Sequence, residues 1–417
     1  MSNMLFATSG FPYGKGEKTF VIPELEKLRE KYSVILISHA TFQEVKDIAS
    51  KSSVNEKIKV LHFDRNIKLW KKIYWGVRYF FDKDGWRETK SILLEKKSIL
   101  LRMYHSIGFY ILAMEDYKKI LKNRLIKNEE NTICYSYWYT YYSYAFLRCK
   151  ELYPKLKIIT RTHGFDLYNE RFPGKRQPFK EIMDEKLDGI IFASNYAYHY
   201  YAKIFSKRSD RNKYHICRLG VSEGKVSINC AKVGFHLVSC SMVVPLKRIE
   251  LIIDGLSELK EEVHWIHIGS GSEMEVIQKY AERMLSASSH IHYTFVGYWR
   301  QEQIRSFYET GWADCFITTT ATEGGCPVSI QEAMSFALPV IGTAVGGVTE
   351  MIDGNGILLP SNPKATEVAN AILNIYNMSQ TERKNVGECS FRLWKEKFNE
   401  IINVKHLIET IESIEKV

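Results

Sequence analysis

The chain has 417 residues, 45% of them apolar, more than one hydrophobic core usually supports, which points to two packed domains. Its 58 basic and 48 acidic residues leave a formal net charge of +10, which favours an anionic partner: nucleic acid, an anionic lipid surface or a phosphorylated substrate. Eight cysteines form no CxxC pair and no metal-ligand spacing with histidine, so they read as reduced core thiols of a cytosolic protein, not as a disulfide framework or a zinc site.

In chain order, short apolar runs alternate with helical patterns. Met4–Ser9 is the first expected strand; it lacks the basic lead of a secretory signal and runs into the glycine segment Ser9-Gly10-Phe-Pro-Tyr-Gly14-Lys-Gly16-Glu17. Ser33–Ser38 and Lys57–His62 follow, then Thr132–Ser136, Lys157–Thr162 and Gly189–Ala193. The second half offers His236–Ser241, Val263–Gly269, Ile291–Gly297, Asp314–Thr319 and Pro339–Gly342. Several are nearly continuous apolar stretches, as strands buried on both faces require, and the alternation implies two doubly wound α/β domains with a crevice between them. The boundary is expected near Leu219–Ser227, where polar residues and glycine interrupt the pattern.

The stretch 66–125 breaks the alternation and is expected to be a helical insert. Its aromatic and basic residues (Lys68, Trp70, Lys71, Lys72, Tyr74, Trp75, Arg78, Tyr79, Phe80, Phe81) recur at helical spacing. Two readings stand: a helix packed on its domain with its cations solvated, or an amphipathic surface that meets a membrane. No apolar run approaches the roughly 18 to 20 residues of a bilayer span. Asp82-Lys83-Asp84 in this insert is the one DxD; it does not lie at a strand end in a nucleotide site, and coincidence is the better account of it. The run Tyr135–Phe146 carries six tyrosines and a tryptophan, most of which should pack a helix onto a sheet.

The strongest chemical pattern spans Thr318 to Glu332 and continues through Pro339 to Gly347. It reads as strand end, glycine loop, helix start and a second strand ending in Gly346-Gly347. Backbone N–H groups at such a loop and helix start attract phosphate, and Glu323 and Glu332 offer carboxylates to neighbouring hydroxyls. Gly14 and Gly16 lack both dinucleotide and ATP-loop spacing, so neither ligand is supported there.

Five features in order carry a resemblance: Gly14-Lys-Gly16-Glu17; Thr162-His163-Gly164-Phe-Asp166; Arg218-Leu-Gly220-Val221; Val244-Pro245-Leu-Lys247-Arg248; and Glu323 to Glu332 with Gly346-Gly347-Val-Thr-Glu350. The chain resembles the retaining glycosyltransferases of family GT4, which have the GT-B fold, and more narrowly those of bacterial exopolysaccharide, amylovoran and colanic acid synthesis. The resemblance implies two Rossmann-like domains facing across a crevice: an acceptor-binding domain over 1–222, a nucleotide-sugar domain over 223–390, and a C-terminal helix over 391–417 that returns to the first. It implies transfer of a hexose-type sugar from a UDP- or GDP-linked donor to a glycan acceptor, lipid-linked, with retention of configuration and without a metal or other cofactor. It also implies a cytoplasmic protein, peripheral on the inner face of the cell membrane, that uses no nucleic acid. A nucleotide-sugar epimerase or phosphorylase of the same fold, and a non-catalytic nucleotide-sugar-binding homologue, stand as alternatives.

By the same resemblance, His163, Lys247 and Glu323 are the catalytic candidates. Gly14, Gly16, Lys247, Arg248, Glu323, Gly324, Gly325, Cys326, Pro327, Val328 and Glu332 are the donor-binding set, Glu332 taking ribose hydroxyls and Glu323 the donor sugar. Glu17, Arg161 and Asp166 are second-rank residues for positioning or for the acceptor. Two departures are visible: the family's arginine five residues before the lysine is Met242 here, leaving Arg248 to supply the second charge, and eight residues separate the two glutamates where seven are usual. Pro327 keeps its place before the helix, so the extra residue lies beside Gly324-Gly325, where glycine tolerates an altered backbone.

Overall fold

The computed structural model describes residues 2–13, 17–49, 58–205, 211–227 and 233–416. It divides into two compact units, one formed by Met1–Cys217 with Val404–Val417 and the other by Arg218–Asn403. The polar stretch 219–227, read in the sequence as the boundary, therefore falls inside the second unit. Gly14 and Gly16 lie outside the described residues, as does Lys57 at the start of one expected strand.

The first unit holds β1 (Ser2–Thr8), β2 (Tyr32–Ser38), β3 (Lys59–His62), β4 (Thr132–Ser136), β5 (Lys157–Thr162), β6 (Gly189–Phe192) and β7 (Tyr214–Ile216). They form one parallel sheet in the order β3-β2-β1-β4-β5-β6-β7. Met4, Leu5 and Phe6 of β1 are fully buried because helices cover both faces, as a parallel sheet requires. One layer contains the tyrosine-rich helix Tyr141–Cys149 and the long helix Ile99–Lys122; the other contains Lys18–Lys31 and the returning segment Val404–Val417, whose Leu407, Ile411 and Ile414 pack with Val21, Leu25 and Ile159.

The second unit holds β8 (Phe235–Cys240), β9 (Val263–Ile268), β10 (Ile291–Gly297), β11 (Cys315–Thr318), β12 (Val340–Thr343) and β13 (Gly356–Leu359), parallel in the order β10-β9-β8-β11-β12-β13. In each sheet the strand order reverses once, at β1/β4 and at β8/β11. Loops leaving the carboxyl ends of strands at such a point diverge and leave room for a ligand.

The insert is helical: Leu69–Phe81, Lys83–Glu95 and Ile99–Lys122 follow one another. Asp82 caps the second of these, accepting from the backbone N–H of Asp84 at 3.0 Å, and pairs with Arg148 at 3.1 Å. Asp84 is buried against Lys186 at 2.7 Å, so both carboxylates of the DxD serve packing. The packed reading of the insert holds for part of it. Trp75 and Tyr79 are core, whereas Trp70, Phe80, Phe81, Trp86, Leu94, Leu100 and Tyr104 are exposed.

Candidate functional site

In the second unit the loop after β8 turns through a short helix, Pro245–Lys247, and Arg248 follows in the left-handed region at φ 48°. The loop after β11 lies against it: Ala321 N–H donates to Leu246 O at 2.8 Å, and Thr319 Oγ1 donates to Arg248 O at 2.8 Å. This union brings two of the expected catalytic residues together. Lys247 Nζ donates to Glu323 Oε1, and the two side chains are only 17% and 14% exposed.

The glycines after β12 are required by this packing. A Cβ on Gly346, at φ 51°, would stand 2.0 Å from Glu323 O, and one on Gly347 would stand 2.3 Å from Gly325 O. Beyond the loop, Pro327 precedes the helix Val328–Ser335, and among the described residues no side chain caps that helix. Its first-turn N–H groups carry the positive end of the helix dipole, a feature suited to receiving a phosphate. Gly324, Gly325 and Cys326 lead into this turn and Val328 is the first residue of the helix. Burial pushes the Cys326 thiol well up, which makes it a packing group and not a nucleophile.

Glu332 lies on the same helix with only 7% exposure, and Gln301 Nε2 donates to its Oε1. Burial raises its pKa to about 7, against the lowering effects of the Gln301 hydrogen bond and the Arg305 charge. Gln301 was missed in the sequence. Its signal is positional: it follows the carboxyl end of β10, as Lys247 and Glu323 follow those of β8 and β11.

Arg248 does not supply the second charge expected of it. Its Nε donates to Thr319 O at 2.8 Å and its Nη2 to Thr320 O at 2.9 Å and Ser361 O at 2.8 Å, while Nη1 reaches Asn362 Oδ1 at 3.0 Å. The guanidinium is a clamp on carbonyl oxygens of its own unit. Met242 is 62% exposed and adds no charge.

In the first unit, His163 follows β5. Asp166, buried beneath it, accepts from the backbone N–H groups of His163 at 2.9 Å, Gly164 at 2.8 Å and Tyr139 at 2.9 Å, and so fixes the turn. The imidazole packs on Trp138 at 4.4 Å between centroids and on Tyr137 at 4.7 Å, and its Nε2 lies 3.1 Å from Tyr137 O. Burial lowers its pKa to about 4, so the ring is neutral at neutral pH. In that form Nε2–H donates to the carbonyl and Nδ1 is left as an acceptor.

Two second-rank residues prove structural. Arg161 is fully buried, its Nη1 paired with Glu24 Oε1 and its Nη2 donating to Cys217 O at 2.8 Å. Strand alternation explains the error: in β5, residue 161 points under the helix Lys18–Lys31 and cannot reach a ligand from there. Glu17 accepts from the N–H groups of Ser9 at 2.9 Å, Gly10 at 2.5 Å and Phe11 at 2.7 Å, and from Trp138 Nε1. Its carboxylate thus fills the anion-attracting loop after β1.

A cavity of about 670 Å³ lies in the first unit next to these loops. Ile107, Phe109, Ile111 and Leu112 form its apolar wall, with Arg65 and Lys72 among its lining residues. Arg65 is held at the loop by Ser9 Oγ at 2.9 Å and Tyr142 Oη at 3.0 Å.

Two parallel sheets of this order, each with its candidate residues at the carboxyl ends of the strands about the switch point, constitute the GT-B fold of glycosyltransferases. The chain aligns over 99% of its length with Anabaena HepE in complex with UDP-glucose, which is covered completely, at a TM-score of 0.68 and 13% identity. Residues 235–378 match the family described as "Glycosyl transferases group 1". The O-antigen biosynthesis glycosyltransferase WbnH of Escherichia coli is 33% identical over 114 residues, a stretch covering 27% of this chain and 30% of that protein. The uncharacterized glycosyltransferase MJ1178 of Methanocaldococcus jannaschii is 25% identical over 334 residues, covering 79% of this chain and 87% of that protein.

Proposed function

We propose that this protein is a retaining hexosyltransferase of the GT4 type that moves a sugar from a UDP- or GDP-linked donor to a lipid-linked glycan acceptor in bacterial surface polysaccharide synthesis, of exopolysaccharide, capsule or O-antigen kind. The observation that carries the reading is the Lys247–Glu323 pair beside an uncapped helix start, with Glu332 on that same helix. The helix start receives the pyrophosphate, Lys247 offsets the charge that develops on the leaving phosphate, and Glu323 accepts hydroxyls of the donor sugar. Glu332, when ionised, accepts the two ribose hydroxyls. None of these roles calls on a metal.

The first unit takes the acceptor. Its cavity has an apolar wall for a lipid chain and Arg65 and Lys72 for the attached phosphate. His163, neutral and held by Tyr137 O, orients a sugar hydroxyl through Nδ1 and does not act as a proton carrier at neutral pH. The insert supports peripheral attachment to an anionic bilayer: between Lys68 and Lys97 the cations Lys68, Lys72, Arg78, Lys83, Lys90 and Lys96 are exposed among the exposed aromatic residues.

The test is incubation with a panel of nucleotide-sugars, with and without a short-chain polyprenyl-linked glycan. A glycosylated acceptor with retained configuration is the expected product. Isomerised donor or free sugar phosphate without acceptor would instead identify an epimerase or phosphorylase. UDP binding without turnover would identify a non-catalytic homologue, to which Met242 and the engaged Arg248 give some weight.

A further inference from the structure

At the amino-terminal ends of β8, β9 and β10, on the opposite side of the sheet from Lys247 and Glu323, three histidines fall in register: His236 opposite His264, and His264 opposite His292. Registered residues on neighbouring parallel strands share a face, and their rings stack. The centroids are 4.9 Å apart for His236 and His264, with planes at 10°, and 4.5 Å apart for His264 and His292, with planes at 18°. Glu262 precedes His264 by two residues and so points the same way; its Oε1 lies 3.2 Å from Nε2 of His264.

One ligand atom from each of Glu262, His264 and His292 lies within 4.8 Å of the others. Space for them is kept by Gly234, at φ 76°: a Cβ there would come to 3.2 Å from both Glu262 Cγ and His264 Nε2. His236, at the buried end of the row, is taken by Asp314, whose Oδ2 lies 3.5 Å from Nδ1, and it meets Trp312 edge-on at 4.5 Å.

We propose that Glu262, His264 and His292 bind a borderline divalent transition cation, Zn²⁺ in the first instance. Two imidazoles and a carboxylate are a donor set suited to Zn²⁺, and three protein donors leave a fourth position for water. Tetrahedral bonds of about 2.0–2.1 Å place ligand atoms about 3.3 Å apart. Closing from the present separations needs only side-chain rotation. Such rotation is open to these residues, because Glu262 and His292 are exposed and His264 is half-buried. Since β10 is an edge strand of this sheet, an ion held by His264 and His292 would fasten the edge to its neighbour. The site is separate from the donor loops by the length of the strands, so its role is structural or regulatory and does not enter the transfer step.

No zinc spacing is visible in the sequence because the two histidines lie on different strands, 28 residues apart. The experiment uses the full chain, freed of metal by chelator and dialysed, titrated with ZnCl₂ by calorimetry and with CoCl₂ by visible absorption. One saturable site is expected, with Zn²⁺ raising the melting temperature. His292→Ala and His264→Ala should each weaken Zn²⁺ binding at least tenfold, and Glu262→Gln less. His199→Ala, an exposed histidine of the first unit, should leave binding unchanged, and UDP affinity should be the same with and without Zn²⁺. Absence of saturable binding, or binding equal in His292→Ala and wild type, overturns the proposal. A melting temperature that rises with Zn²⁺ equally in His292→Ala would place the ion elsewhere and overturn it too.

Discussion

Replacing Glu332 with glutamine should remove most of the pH dependence of nucleotide binding between pH 6 and 8. The carboxyl is buried on the helix after the donor loop, and burial holds its pKa at about 7. About one tenth of it is then ionised at pH 6 and about nine tenths at pH 8. In the proposed role the ionised form would accept from two ribose hydroxyls at once, whereas the protonated form would spend an oxygen on its own proton. Affinity for UDP carried by this group therefore falls about tenfold from pH 8 to pH 6, or about 1.4 kcal/mol. The direction is fixed by the raised pKa: free protein holds a proton that the complex gives up. Calorimetry at pH 6.5 in buffers of different ionisation enthalpy should therefore register proton release on binding. Titration of the terminal phosphate of UDP contributes equally to both proteins, so the difference between wild type and Glu332→Gln is the measured quantity. Equal pH slopes in the two proteins would refute the placement of Glu332 on the ribose.

Lys247→Ala should weaken UDP binding at least tenfold, about 1.4 kcal/mol, by isothermal titration, since it removes the cation beside the proposed phosphate site and leaves Glu323 without it; unchanged affinity would move the donor site elsewhere. Arg248→Ala should lower the melting temperature by about 5 °C, from the loss of about 2 kcal/mol of charge-assisted hydrogen bonds, and change UDP affinity less than Lys247→Ala does; the reverse order in affinity would restore Arg248 to the donor site. Arg161→Met should cost about 3–5 kcal/mol in urea unfolding by stranding Glu24, and Arg161→Met with Glu24→Leu should regain most of that; a double variant no better than the single would reject the pair as the cause. Phe81→Asp with Trp70→Asp should reduce co-sedimentation with phosphatidylglycerol vesicles while UDP affinity holds, and unaltered sedimentation would remove the insert from the membrane.

What could be read from the residues follows the strength of the local signal. Most of the eleven apolar runs are legible because the central strands, β1, β4, β5 and β6 among them, are buried on both faces and have little polar side to blur them, whereas the edge strands β3 and β10 carry exposed residues and rest on their alternation with helices. The two strands not anticipated, β7 and β13, are edge strands of three and four residues, and Asp353-Gly354-Asn355 before β13, running into Gly356 at its start, reads as a turn. Within the site, Lys247 and Glu323 were each singled out by the motifs that carry the resemblance, while their pairing arises only where the loops after β8 and β11 meet. Arg248 and Arg161 were misjudged for a shared reason: a cation close to a motif was taken as facing the ligand. In the structure one is turned onto carbonyls by a left-handed backbone, and the other is sent under a helix by strand alternation. Gln301 carries no motif of its own; only its place beyond β10 marks it.

Residues 404–417 belong to the first unit although the whole of the second unit, 218–403, precedes them in sequence. On the ribosome, then, the second unit can be completed as an uninterrupted segment while the first still waits for its closing helix. Until Leu407, Ile411 and Ile414 emerge, the face formed by Val21, Leu25 and Ile159 stands bare to water. Gly189 keeps the berth for that helix: a Cβ there would come to 2.5 Å from Ile414 Cδ1. Domains usually mature in the order of their synthesis. In this chain the second unit is free to finish before the first, and loss of residues 404–416 would strip the first unit, not the second.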